Sequence, residues 1–524
     1  MLPPGLNSPR QVVLYYDSVY DSLIESGQAY PFLYPWGGIG VYVVFIYLLI
    51  DHRHSVLLRR LRYVVFAFVC AFSCRSIATN KARMPSSAFG VGLISAFAIL
   101  ISYANLIASD AQSEFTRLER RRGKPNPNGS GLKLRYRAEL AKTWHGRSGR
   151  LYWQSYPSSF IDRVDWAGDL FTSFRGTGWS FQIAQIPGLP RWAEIEISHK
   201  SDDDDDEGPV GHDESQKIIR GKSGIRRFTS RKALISNTIT HMVIDYLALD
   251  VIKTLMNNDP YFWGYTSTTH CPVSIPSRLC TSHIFLKSYR LTLSLAGIYT
   301  ALHFIFKLGP LIFAGLLGPK YLGVKGETWM NPADMFSDPH VISTQGLAGW
   351  WGTWWHQTFR LAFSAPTHTI LSLLHIKPKT TMGKTITLFV AFILSGLLHA
   401  SGSYTQLGRT QPIHGPMTFF TLQPIGIIAQ QLGTAMLRHM GILGITPKPI
   451  KKIGNLIFVH VWFYFTAPLL VDDFAQGGIW LYEPIPISVL RGLGFGMGDD
   501  GWWCWFGGPG WRSGRSWFDT GIAF

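Results

Sequence analysis

A histidine inside an apolar run is the first residue of this sequence that could do chemistry. His399 stands in ILSGLLHASG, residues 393–402. Polar side chains are costly at membrane depth, so each such residue is a functional candidate. An imidazole titrates near neutral pH and is a natural general base for taking a proton from an alcohol. Ser395, Gly396, Ala400, Ser401 and Gly402 would let a substrate or a neighbouring helix come close. The competing role for His399 is a structural hydrogen bond to that neighbour. His303 in ALHFIFK and His460 in FVHVWFYF lack small neighbours and fit the structural role better. A second tract, Trp350 to Gln357, reads WWGTWWHQ. An interfacial aromatic belt accounts for its tryptophans but not for His356 and Gln357. A third tract, RVDWAGDLFTSFRGTGW, runs from Arg163 to Trp179. Arg175 and the two glycines after it suggest a tight turn following an amphipathic helix at a membrane surface.

Two patterns are decoys. His241-Met242-Val243-Ile244-Asp245 has the HxxxD spacing of soluble CoA-dependent acyltransferases, but it lies in an apolar helix and Tyr246 follows the Asp. It reads as a pair one helical turn apart. The glycine-rich stretch from Gly492 to Gly498 follows no strand and lacks dinucleotide-binding context. Five cysteines without zinc spacing exclude a disulfide scaffold and give no metal site. Cys70 and Cys74, on one helical face, read as buried thiols.

The elements that must hold these residues are membrane helices. Of the 524 residues 46% are hydrophobic and only 16% charged, against roughly 25% charged in soluble proteins. The net charge of +16 suggests nucleic acid or an anionic membrane surface. Because the charges flank apolar runs, nucleic acid is excluded. Runs at Ser26–Ile50, Met84–Ser109, Thr385–Gly408, Thr410–Leu437 and Ile453–Val471 approach or exceed the roughly 20 residues a bilayer requires. Weaker runs bring the expectation to eight to ten spans in an all-α polytopic bundle. The first run has no basic n-region or cleavage site and is expected to be a retained span.

The basic loop DHRHSVLLRRLR is expected in the cytosol by the positive-inside rule. The same side is expected for the stretch Arg117–Arg150, whose Asn128-Gly129-Ser130 sequon would then carry no glycan. The acidic run Asp202–Glu207 reads as a solvated loop. The organisation expected is 1–110, N-terminal helices; 111–230, a polar cytosolic region that is partly disordered and holds an amphipathic segment at 160–181; and 231–524, a membrane core that includes 330–420.

Together these tracts resemble the wax synthase-like branch of the membrane-bound O-acyltransferases, including fungal members that acetylate terpenoids. That branch has a tract of the form FWGRRWHQ, here WWGTWWHQ; an element LLTSLRGIGWN, here LFTSFRGTGWS from Leu170 to Ser180; and a run FxxSGxxH, here Phe392 to His399. A Pro-Leu-Phe-like approach resembles Asn331 to Pro339. The resemblance covers roughly Arg163 to His399. Thr353 and Trp354 replace two basic residues of the family tract, so a role in holding CoA does not transfer to them. Related branches carry Asn at the position of His356.

The resemblance implies His399 as the catalytic base with His356 as its partner. It implies Trp351, Trp355, Gln357, Ser395 and Arg175 around the substrates, with oxyanion donors among His356, Gln357 and the indoles. The expected reaction moves acetyl from acetyl-CoA, a co-substrate, to a terpenoid or meroterpenoid alcohol of secondary metabolism. A wax-ester synthase acting on long-chain alcohols is the alternative within the family. A transporter is the alternative outside it, but no inverted repeat is visible. The partners expected are acyl-CoA, a lipophilic alcohol and membrane lipids, with no bound cofactor, metal or obligate protein partner. The expected location is the endoplasmic reticulum membrane.

Overall fold

The computed structural model describes residues 2–121, 150–198, 218–272, 274–505, 508–514 and 516–524. The acidic run Asp202–Glu207, the sequon and most of the Arg117–Arg150 basic stretch lie outside these residues. Numbering the longer helices in chain order gives α1 (Pro9–Glu25), α2 (Ile39–Leu49), α3 (Val56–Thr79), α4 (Pro85–Ser102) and α5 (Phe160–Thr172). There follow α6 (Arg231–Asn257), α7 (His283–Pro310), α8 (His340–Gly349) and α9 (Arg360–Leu373). The series closes with α10 (Thr381–Thr405), α11 (Thr418–His439), α12 (Lys448–Thr466) and α13 (Pro468–Gly477). Hydroxyl caps start several of them: Ser55, Ser230, Ser282 and Thr380 each accept a backbone N–H from the first turn of α3, α6, α7 and α10.

The molecule is an all-α membrane bundle, and its described residues form only short β-pairs, such as Arg117–Arg120 against Leu151–Gln154. Among the described residues, four helical stretches are long and apolar enough to cross a bilayer: Val56–Thr79, Pro85–Ala108, His283–Gly326 and Thr381–Thr405. The pair α12–α13, bent by 44° at its break, makes a fifth. The sequence led to an expectation of eight to ten, and the difference has local causes. Ser26–Ile50 is not one helix: Pro31 and Pro35 break it into two short strands and a tight turn before α2. The 27-residue α6 and 22-residue α11 are long enough but carry internal polar side chains that lower their apolarity.

In α6 those polar groups are paired inside the bundle. Asp245 accepts from His303 Nδ1 of α7 at 2.7 Å, while His241 Nδ1 bonds the carbonyl of Asn237 at 2.7 Å. The pair expected within α6 is therefore a bond between helices, and His303 has the structural role expected of it. Cys70 is half-buried and Cys74 exposed, contrary to the expectation of two buried thiols. Cys271 and Cys280 form a disulfide just before α7. It closes one short loop and frames no scaffold.

The largest apolar core lies where α6, α7, α8, α10, α11, α12 and α13 converge, with Met256, Leu293, Leu347, Phe392, Phe420, Val459 and Phe474 among its buried members. A second core joins α2 and α3 to α5 through Tyr47, Val69 and Trp166. The chain left of residue 110 is not a separate layer, because α4 packs along α10.

Candidate active site

One stripe of α10 faces a cavity of about 1620 Å³: Lys384, Leu388, Phe392, Ser395 and His399 recur at helical spacing along its wall. The small residues around His399 serve helix packing. A Cβ on Gly92 of α4 would lie 1.9 Å from the Ser401 carbonyl oxygen. One on Gly402 would meet the Phe89 ring at 2.7 Å, and one on Gly396 the Met417 sulfur at 2.8 Å. With its helix so gripped, the His399 ring lies 4.4 Å from that of Phe420. Its Nδ1 is 2.8 Å from the Ser395 carbonyl oxygen. A carbonyl only accepts, so the proton is assigned to Nδ1, and Nε2 is left with a free lone pair. Ser395 thus contributes through its backbone as well as by lining the cavity.

His356 reaches the same cavity by a different route. Helix α8 bends at Gly346, whose φ of 61° places it in left-handed space and whose Cβ position is filled by the Gln430 amide. Gln430 accepts from Leu347 N at 2.8 Å and donates to Asn455 Oδ1 at 3.0 Å, and Asn455 donates to Ser343 O at 3.0 Å. Beyond this anchor the chain winds one wide turn, closed by Trp355 N donating to Trp350 O at 2.8 Å, five residues back. Gln357 Nε2 then donates to the carbonyls of Trp351 and Trp355 at 2.9 and 2.8 Å. His356 projects from this turn, near the rings of Phe336 and Phe359 at 6.3 and 5.7 Å. Its Nδ1 is buried and without a partner among the described residues. Burial pushes the imidazole down to about 3, with the positive fields of His399 and Arg175 adding to the effect.

The expected site residues therefore divide. His399, His356, Ser395, Trp351, Trp355 and Gln357 all line the one cavity. Gln357 is not free to donate to a reacting oxygen, because both amide hydrogens hold the turn. The Trp351 indole donates to Gln423 Oε1 at 3.2 Å, as does that of Trp462. The indole N–H groups of Trp350 and Trp355 have no partner among the described residues, and both side chains line the cavity. Arg175 does not line it. Its guanidinium donates to the Asp334 carbonyl at 2.8 Å, and its pKa is lowered to about 10 by burial, which the Asp334 charge opposes. Arg226 holds the Asp334 carboxylate at 2.7 and 2.9 Å, keeping it below the ordinary carboxylate range against the opposing effect of burial. The loop pinned this way packs Phe336 against Trp355, with ring centres 5.2 Å apart. Arg175 is a positioning residue.

Sequence reasoning missed Gln423, Gln430 and Asn455, which fix the tryptophan turn, and Lys253, Arg360, His368 and Lys384, which line the cavity. The available signal was a polar side chain within or beside an apolar helix.

The family model for "Membrane bound O-acyl transferase family" matches residues 333–422, the segment holding both histidines. The chain is 30% identical over 147 residues to the acetyltransferase eriL of Hericium erinaceus, covering 27% of this chain and 36% of that protein. It is 25% identical over 351 residues to the O-mevalon transferase macI of Penicillium terrestre, covering 64% and 65% of the two chains. It is 31% identical over 290 residues to the O-mevalon transferase yanI of Aspergillus niger, covering 53% and 54%. The chain thus spans from about a third to just under two thirds of the length of these relatives.

Proposed function

We propose, from the premise that this chain is a member of the membrane-bound O-acyltransferase family, that it transfers acetyl from acetyl-CoA to a hydroxyl of a terpenoid or meroterpenoid in the endoplasmic reticulum membrane. The observation that carries this is His399, whose Nε2 is left unprotonated on a cavity walled by indoles. His399 Nε2 takes the acceptor's hydroxyl proton as the oxygen attacks the thioester carbonyl. The tetrahedral oxyanion is met by the Trp350 or Trp355 indole N–H. Collapse breaks the carbon–sulfur bond, and the CoA sulfur leaves with the proton returned from Nε2, giving the acetate ester and free CoA. Preorganised donors of this kind supply a large share of the rate in acyl transfer.

Arg360, His368 and Lys384 line the cavity and would hold the phosphates of CoA. Lys384 stands 15 residues before His399 on α10, about 22 Å along the axis. A larger, oxygenated acyl group is the second reading, favoured because the two relatives with the greater coverage are named O-mevalon transferases.

Membranes carrying the protein are to be given a terpenoid alcohol with acetyl-CoA, palmitoyl-CoA and mevalonyl-CoA in competition. Acetyl ester should dominate, and His399→Ala should lose about a hundred- to ten-thousand-fold in rate at unchanged protein level. A preference for mevalonyl or palmitoyl moves the donor assignment. A His399→Ala variant within a few-fold of wild type removes the base.

A further inference from the structure

The cavity has a far end that the transfer chemistry leaves unused. From His399 a series of rings leads away: Phe89 at 6.5 Å, Phe474 at 5.3 Å from Phe89, and Trp480 at 5.8 Å from Phe474. The wall between is apolar, with Ile252, Met256, Leu470 and Val471. At its end stands Lys253 of α6, only 4% exposed yet lining the cavity. An ammonium has three N–H donors. One is given to the Trp480 carbonyl. The Glu483 carboxylate lies 3.8 Å away, beyond hydrogen-bond reach, and is already held by both terminal nitrogens of Arg491 at 2.8 and 2.9 Å. Two donors of a buried lysine therefore have no hydrogen-bond partner among the described residues, and unmade hydrogen bonds of buried charged groups are costly.

We propose that Lys253 recognises a second oxygen of the acceptor, a neutral hydroxyl or carbonyl at the opposite end of the molecule from the hydroxyl that reacts at His399. Glu483 selects against a carboxylate there, because a second anion would sit against the first. The substrate class is thus a lipophilic alcohol oxygenated at both ends. This rests on the acyl-transfer reading above for which hydroxyl reacts, but not for binding at Lys253.

The test uses the full chain in detergent, wild type and Lys253→Met, with farnesol and 12-hydroxyfarnesol as probes. Ligand-induced thermal stabilisation and acetyl transfer are both read. Wild type should favour the diol by about tenfold in kcat/KM, the discrimination of one or two buried hydrogen bonds, and be stabilised more by it. Lys253→Met should handle the two within about twofold, because its apolar end can no longer meet a second oxygen. Lys253→Arg, which keeps donors, should keep a preference. Equal handling of the two probes by wild type overturns the proposal even if Lys253→Met fails to accumulate. So does a loss in Lys253→Met that is the same for both probes. If wild type acetylates neither probe, the acetyl-donor reading fails, and the difference in thermal stabilisation still decides the lysine.

Discussion

The two histidines share a cavity but not a job. His399 has one nitrogen committed to a backbone carbonyl and the other free, which is what a base requires. His356 is held so far toward neutrality that it can only donate or accept a hydrogen bond at physiological pH. An Asn can imitate that role and an Ala cannot. His356→Asn should therefore retain a measurable fraction of the rate, and His356→Ala about tenfold less, the worth of one charge-stabilising hydrogen bond. The sign of the pH effect follows from the depressed value. With its pKa held down to about 3, His356 is neutral between pH 5 and 8, so His356→Asn should leave the pH dependence of the rate unchanged over that range. A pH dependence that changes over that range in the variant would make His356 a titrating group. Both histidines could be picked out in the sequence, because each interrupts an apolar or aromatic tract. The Gln423 oxygen shared by two indoles could not, since its partners lie 72 and 39 residues away.

At the scale of elements, α10, which carries His399, is positioned by close backbone approach. Gly92 touches Ser401, and the Thr405 hydroxyl of α10 donates to the Ala88 carbonyl of α4 at 2.7 Å. Gly92→Ala must push the two backbones apart, since its methyl would meet the Ser401 backbone carbonyl at 1.9 Å as well as the Thr405 hydroxyl at 2.7 Å. The expected cost is about 1–3 kcal/mol, seen as a lower melting temperature in detergent together with reduced transfer. An unchanged melting temperature would mean the pair has slack. Periodicity revealed α10 as a helix, and the short spacing of small residues marked its packed face. It did not reveal which helix packs there, because α4 is some 300 residues earlier and contact over such separation leaves no local pattern. Within the segment 160–181, α5 buries Trp166 and Leu170 while exposing Phe160 and Ile161, and Gly176 and Gly178 then turn the chain at φ 63° and 75°.

The whole molecule has two chemically different ends. Helix α7 starts beside the Cys271–Cys280 disulfide and runs 28 residues, about 42 Å, to a segment bearing Lys320 and Lys325. Lys452, at the start of α12, meets His340 at that second end. Gln476, beyond the far end of α12, meets Thr266 at the first. Lys377, Lys379 and Lys384 open α10, whose other end returns toward Gln476. Basic loops mark a cytosolic face, and disulfides form in oxidising compartments. The two signals are independent and agree, and on the proposed reaction the acyl donor would reach the cavity from the basic face. With Cys70, Cys74 and Cys504 replaced by Ser, a membrane-impermeant maleimide should label Lys379→Cys in sealed microsomes at once. It should reach Cys271 and Cys280 only after permeabilisation and reduction. The opposite order inverts the orientation. The sequence placed the basic loops on one side. It was silent about the bridge, because two cysteines nine residues apart carry no pairing signal of their own.

The wide turn at Trp350–Trp354 has a consequence for how this gene can vary in length. A turn closed five residues back holds one residue more than an ordinary helical turn. The wide turn can give up that residue and close as ordinary helix with little change in register, whereas deleting one residue from the regular turns of α8 ahead of it would rotate everything after the deletion by about 100° and shorten it by about 1.5 Å. His356 would then face away from His399 with every side chain intact. A single lost codon in α8 would thus separate the two halves of the site, while the wide turn has one residue to spare.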